Sequence, residues 1–160
     1  MRKYLLHVLI ILFVFLLVPT TQAASYEDEK RLEDAKEEVR INPDDAEAHG
    51  NLGYAYYETG KYKEAIESYK QAIRLDPDDT LGYILLSNVY YRIGEREKWE
   101  KLRKKALKID PYDIGNIVEL GLGYAEMGDI DSAFEMYKRL KKLNNPAAKG
   151  VLEAISRSKE

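Results

Sequence analysis

The chain has 160 residues, 45% of them hydrophobic and 33% charged, with no cysteine and two histidines. That length holds one small domain, and the missing cysteine excludes disulfides, thiolate nucleophiles and cysteine zinc sites. A net charge of −3 and a pI of about 5.6 argue against nucleic acid as a partner.

Arg2 and Lys3 precede an apolar run from Leu5 to Val18, interrupted only by His7 and ended by Pro19. Thr21 and Ala23 follow at the spacing a signal peptidase reads. The order of basic, apolar and small residues is that of a secretory signal peptide, so residues 1–23 are expected to be a leader. Cleavage is expected after Ala23, with Ala24 as second choice. The apolar run is shorter than the roughly 20 residues that cross a bilayer core, and an uncleaved anchor is the alternative. In either case the remainder is expected outside the cytoplasm, periplasmic or secreted, or held at the inner membrane by the anchor.

Residues 24–45 are expected to form a flanking helix. Tyr26 to Ile41 is highly charged and carries Leu32, Ala35, Val39 and Ile41 as a thin apolar stripe.

A period of 34 residues then organises the chain. Asn42-Pro43, Asp76-Pro77 and Asp110-Pro111 keep it, as do Gly60, Gly94 and Gly128. Leu52, Leu86 and Leu120 share it with Tyr56, Tyr90 and Tyr124, and Gly53, Ser87 and Gly121 supply a small residue beside each leucine. Each unit reads as two helices. Ala46 to Glu58 has helically spaced apolar residues, Thr59-Gly60 breaks it, and Lys61 to Leu75 resumes with Tyr62, Ala65, Ile66, Tyr69, Ala72 and Ile73. Asp76-Pro77-Asp78-Asp79 stops that helix and caps the next one. The units are expected at residues 46–79, 80–113 and 114–146, the last ending one residue late at Pro146. Residues 147–160 complete the chain as a capping helix, with Val151, Leu152 and Ile155 on one face.

The pattern resembles the tetratricopeptide repeat from Ala46 to about Asn145. On the first helices the resemblance rests on His49 with Leu52-Gly53, Tyr83 with Leu86-Ser87, and Ile117 with Leu120-Gly121. On the second helices it rests on Ala65, Tyr69 and Ala72, then on Ala133 and Tyr137, with Leu140 heavier than usual. It implies an all-α fold, a right-handed α-solenoid of helix-turn-helix repeats with flanking cap helices. The middle unit departs: Trp99 replaces the family's alanine and Arg103 its aromatic ring. An indole at that position is expected to push the two helices apart or turn outward.

Catalytic material is sparse. His49 is the only histidine after the leader and is expected in the core, and no serine sits in a nucleophile elbow. The acid pairs Asp44-Asp45 and Asp78-Asp79 are explained as helix caps. The expectation is a protein that is not an enzyme and holds no metal or cofactor.

The resemblance further implies a concave groove lined by the first helices. The residues expected there are Asn51, Tyr54, Tyr57 and Glu58 from the first unit, and Ile84, Leu85, Asn88, Tyr91 and Arg92 from the second. Val118, Glu119, Leu122 and Ala125 come from the third. Tyrosine supplies contact area with few rotatable bonds, and asparagine can hold both an N–H and a C=O of a bound backbone. The family's grip on a C-terminal carboxylate maps to Gly50, Tyr54, Leu85, Gly115 and Glu119, which lack the needed donors. The basic stretch Lys98, Lys101, Arg103, Lys104, Lys105 and Lys108 reads as the solvated outer face of a helix.

The function expected is that of an exported, non-catalytic adaptor in the cell envelope, holding a partner protein or peptide in the groove. The alternative is a self-associating structural subunit, a homo-oligomer joined through apolar surface at Trp99 and the last unit. Membrane contact is expected only through the leader, in transit or as an uncleaved anchor.

Overall fold

A computed structural model of the protein describes residues 26–158, so the expected leader and its cleavage site lie outside the described residues. These fold into eight α-helices with no strand among them. Helix α1 runs over residues 26–41. It is followed by α2 (Ala46–Glu58), α3 (Tyr62–Leu75), α4 (Thr80–Arg92) and α5 (Arg96–Ile109). The series ends with α6 (Ile114–Glu126), α7 (Ile130–Lys142) and α8 (Ala148–Arg157). The first helices α2, α4 and α6 begin 34 residues apart, and so do the second helices α3, α5 and α7.

The turns explain why the helices start and stop there. Asp45, Asp79 and Asp113 take the N-cap positions of α2, α4 and α6. Their carboxylates accept the N–H of Glu47, Leu81 and Asn116 at 2.9, 3.0 and 3.0 Å. Between the helices of a pair the chain turns through a left-handed glycine: φ is 74° at Gly60, 82° at Gly94 and 75° at Gly128. Glycine reaches this region without a Cβ clash. The following N–H then reaches back into the helix, from Lys61 to the Tyr56 carbonyl at 2.9 Å and from Glu95 to the Tyr90 carbonyl at 2.8 Å.

The late ending of the third unit is a change of turn type. After α7 it is Asn144 that takes positive φ, at 51°, and the Asn145 N–H reaches the Leu140 carbonyl at 2.9 Å. That connection copies the turn within a pair and not the extended link between pairs. Asparagine tolerates the left-handed region better than other residues with a side chain. Helix α7 therefore stops at Lys142, whereas α3 and α5 run on to Leu75 and Ile109.

Packing is closest within the pairs α2–α3, α4–α5 and α6–α7, and α3 against α4 joins the first pair to the second. Helix α8 packs on both α6 and α7 and covers the end of the array, as a solenoid terminus requires. The core falls into three clusters. Leu32 and Ala35 of α1 meet Leu52 and Ala55. Ala65, Tyr69, Leu86 and Val89 form the second. The third and largest gathers Trp99, Ile117, Leu120, Tyr124, Leu140, Val151 and Ile155. Helices in a pair approach closely: a Cβ on Gly53 would stand 2.7 Å from the Tyr69 ring.

Two expectations about the flanking stripes are corrected. Ile41, the last residue of α1, is exposed, and the packed stripe of that helix ends with Val39. Leu152 is also exposed: Val151 and Ile155, four residues apart, take the inward face, and a residue at an intermediate angle points away.

Candidate binding face

The first helices form one row, with α2 touching α4 directly. Tyr54 and Tyr91 are exposed on it to 50% and 40%. Asn51, Glu58, Arg92 and Glu119 are exposed too, while Tyr57, Ile84, Leu85, Asn88, Val118 and Leu122 are half-buried. Ala125, expected on the same face, is buried in the third core cluster because its register turns it toward α8 and the helices beneath.

These residues divide into two groups. Asn51 and Tyr54 line a cleft of about 360 Å³ between α1 and α2, together with Asp28, Asp34, Glu38 and Glu58. There Asn51 Nδ2 donates to Glu38 Oε2 at 3.2 Å. Asn88 and Tyr91 of α4 lie toward the side of α6 that carries Glu119 and Glu126, while Leu85 packs on the second core cluster between α3 and α4. The Tyr91 hydroxyl donates to Glu126 Oε2 at 2.5 Å, and that bond, with burial, raises the tyrosine pKa. Arg92 lies beside Tyr62 and Tyr57, whose phenol oxygens raise its pKa. The rings of Tyr57 and Tyr62 meet at a tilt of 52° with centroids 5.8 Å apart.

Beneath the second group lies a polar network that the sequence pattern had placed elsewhere. Arg103 of α5 is 4% exposed and does not belong to the outer basic face. Its Nη2 donates to Asn88 Oδ1 at 2.6 Å and its Nη1 to Asn116 Oδ1 at 3.2 Å. Asn116, itself buried, returns a bond from Nδ2 to the Arg103 carbonyl at 2.9 Å. Nε of Arg103 is buried without a partner. Burial lowers the guanidinium pKa, and the carboxylates of Glu119 and Asp113 offset part of that effect. A cation held only by neutral amides is costly to bury. The available signal was register: position 103 repeats Tyr69 and Tyr137, which point inward, so an arginine there points inward as well. The remaining lysines of the stretch are exposed, with Lys98 paired to Glu95 at 3.1 Å and Lys104 to Glu100 at 2.5 Å.

Trp99 corrects a second expectation. It neither splits its helix pair nor turns outward, and is 2% exposed. Its indole lies over Gly123 of α6, where a Cβ would stand 2.2 Å from Cη2. The rings of Tyr91 and Tyr124 flank it at 5.8 and 6.3 Å. The apolar surface that was to pair with another copy at this residue is thus consumed between α5 and α6.

His49 is half-buried and has a structural partner: its Nε2 lies 2.9 Å from the Pro43 carbonyl. Tyr83, one repeat later, donates to the matching Pro77 carbonyl at 3.1 Å. Both tie a first helix to the turn before it. Among the described residues no group of three acids or histidines is placed to hold a metal ion, and no helix is long and apolar enough to cross a membrane.

Four family models of the tetratricopeptide repeat match the chain, at residues 35–67, 53–94, 82–113 and 117–144. Among solved structures, one of the MamA protein superposes with a TM-score of 0.71 at 22% identity, covering 87% of this chain and 75% of that one. A second MamA structure gives 0.64 at 19% identity, covering 87% and 92%. The first tetratricopeptide domain of Spaghetti (RPAP3), bound to the HSP90 peptide SRMEEVD, gives 0.62 at 23% identity, covering 71% and 91%. At these identities the likeness is one of fold. No curated protein matches significantly.

Proposed function

The chain belongs to the tetratricopeptide-repeat proteins, and from that premise we propose that it is a non-catalytic adaptor, exported to the cell envelope, that holds a partner peptide or protein against the row α2, α4 and α6. The observation that carries this reading is the run of exposed Tyr54 and Tyr91 beside half-buried Leu85, Asn88 and Leu122 on one row of helices. Rigid aromatics with a polar tip give contact area at low entropic cost. The Spaghetti domain is described with a peptide bound. Its peptide is acidic, whereas the row here carries Glu58, Glu119 and Glu126 and suits a different charge. Export rests on the sequence of residues 1–23 alone.

The test is affinity capture from the envelope fraction of the native host. One bait is the intact chain, and the other carries Tyr54→Ala, Asn88→Ala and Tyr91→Ala together. A partner retained only by the intact row supports the adaptor. Equal capture by both baits overturns it.

Self-association is the second reading, favoured by the exposure of Phe134, Leu143 and Leu152 in the last third of the chain. It predicts a concentration-dependent sedimentation coefficient, and a strict monomer at high concentration ends it.

A further inference from the structure

Arginine has donors only, so the atom of Asn88 that lies 2.6 Å from Arg103 Nη2 is the amide oxygen. The amide cannot be turned over without setting donor against donor. Arg103 is itself fixed, because Asn116 takes a bond from its head group and gives one to its backbone carbonyl. Order therefore runs from Asn116 through Arg103 to Asn88. The Nδ2 of Asn88 makes no hydrogen bond to any described residue, and it is not among the buried atoms left unpaired. It is open to the row, between Leu85 and Tyr91.

We propose that Arg103 is the positioning residue of the binding face: by holding the Asn88 oxygen it turns the Asn88 N–H groups outward, so that the middle of the row receives a backbone carbonyl of a segment with neutral or basic side chains. An unrestrained asparagine offers a donor and an acceptor, and this one keeps only the donor. The preference for basic neighbours follows from charge. Glu119 acts electrostatically on both Tyr91 and Arg103, and Glu126 binds the Tyr91 hydroxyl. An acidic segment would meet these carboxylates, while Arg103 is buried and spent on the two asparagines. Arg92 and Arg96 are the exposed cations at that end of α4, and Glu58, Glu119 and Glu126 outnumber them. This inference rests on the reading of the row as a peptide-binding face.

The experiment selects peptides from a random library on the full chain and measures them by fluorescence polarisation against variants whose melting is followed in parallel. Asn88→Asp gives Arg103 a carboxylate and removes the donor. It should melt above the wild type while peptide affinity falls about tenfold. Asn88→Leu should lose similar affinity and melt below the wild type, because Arg103 is left with one partner fewer. Arg103→Lys cannot span both asparagines and should weaken binding by a smaller factor. Selected peptides should be rich in lysine and arginine and poor in acids. Asn88→Asp melting below the wild type overturns the inference. So do peptides that bind Asn88→Asp and Asn88→Leu as tightly as wild type yet are released by Tyr54→Ala with Tyr91→Ala, and that outcome leaves the row itself standing. Peptides indifferent to all of these variants, or a library yielding none, overturn both.

Discussion

The array has two joints between helix pairs, α3 on α4 and α5 on α6, and they solve one packing problem with opposite choices. At the first joint Ala65 sits in a cluster with Val89, and Tyr69 of the same helix turns its ring back onto Gly53 within its own pair. At the second, one repeat later, Ala65 becomes Trp99 and Val89 becomes Gly123, while Tyr69 becomes Arg103 and Gly82 becomes Asn116. The large residue has moved from the first helix of one pair to the second helix of the other, and the space is filled from the other side. The aromatic ring has become a guanidinium gripped by two amides. A repeat position thus fixes where a side chain points, and the partner across the joint decides what that side chain does there.

Several substitutions break or sharpen this contrast. The largest effect is expected from Trp99→Ala, which empties the second joint and should lower stability by about 3–5 kcal/mol in denaturant titration. Gly123→Ala alone drives a methyl into the indole and should cost about 1–3 kcal/mol or more. Combining Trp99→Ala with Gly123→Val rebuilds the small-and-large pair of the first joint. The double variant should recover most of the loss, a coupling that a double-mutant cycle reads directly.

Arg103→Tyr restores the repeat's ring but sets it against Ser87, where the first pair has Gly53. It should destabilise by about 1–3 kcal/mol, and adding Ser87→Gly should relieve part of that. Asp79→Ala removes the cap on Leu81 N–H and should cost about 1 kcal/mol.

The smallest effect is expected at high pH. Burial, the main cause, raises the phenol of Tyr124 to about 12 and pushes Tyr69 up as well, so both are held neutral in the fold. A raised tyrosine pKa adds stability that is fully present below the ordinary value near 10. That part should fade as pH climbs from about 10 toward 12. Melting curves of Tyr124→Phe should show a shallower alkaline decline than the wild type.

Much of the fold was legible because turn chemistry is local. Gly60, Gly94 and Gly128 announce the within-pair turns, and Asp45, Asp79 and Asp113 announce the caps, each without reference to distant residues. The turn at Asn144 showed only as a one-residue offset, because asparagine signals the left-handed region less strongly than glycine. The place of Trp99 was not legible within its own helix pair, because its space is made by Gly123 in the next one. On the candidate face, helical register sufficed to put Tyr54 and Tyr91 outward and gave no warning that Ala125 turns in. The orientation of the Asn88 amide was illegible, since it depends on Arg103 and Asn116 from two other helices.

The claim that partners meet the row α2, α4 and α6 can be tested in living cells of the host by photocrosslinking. Tyr54→benzoylphenylalanine and Tyr91→benzoylphenylalanine place the reactive group on the row, and Lys101→benzoylphenylalanine places it on the exposed basic side of α5. Discrete adducts from the two row positions and none from position 101 are predicted. Adducts from position 101 alone would contradict the account.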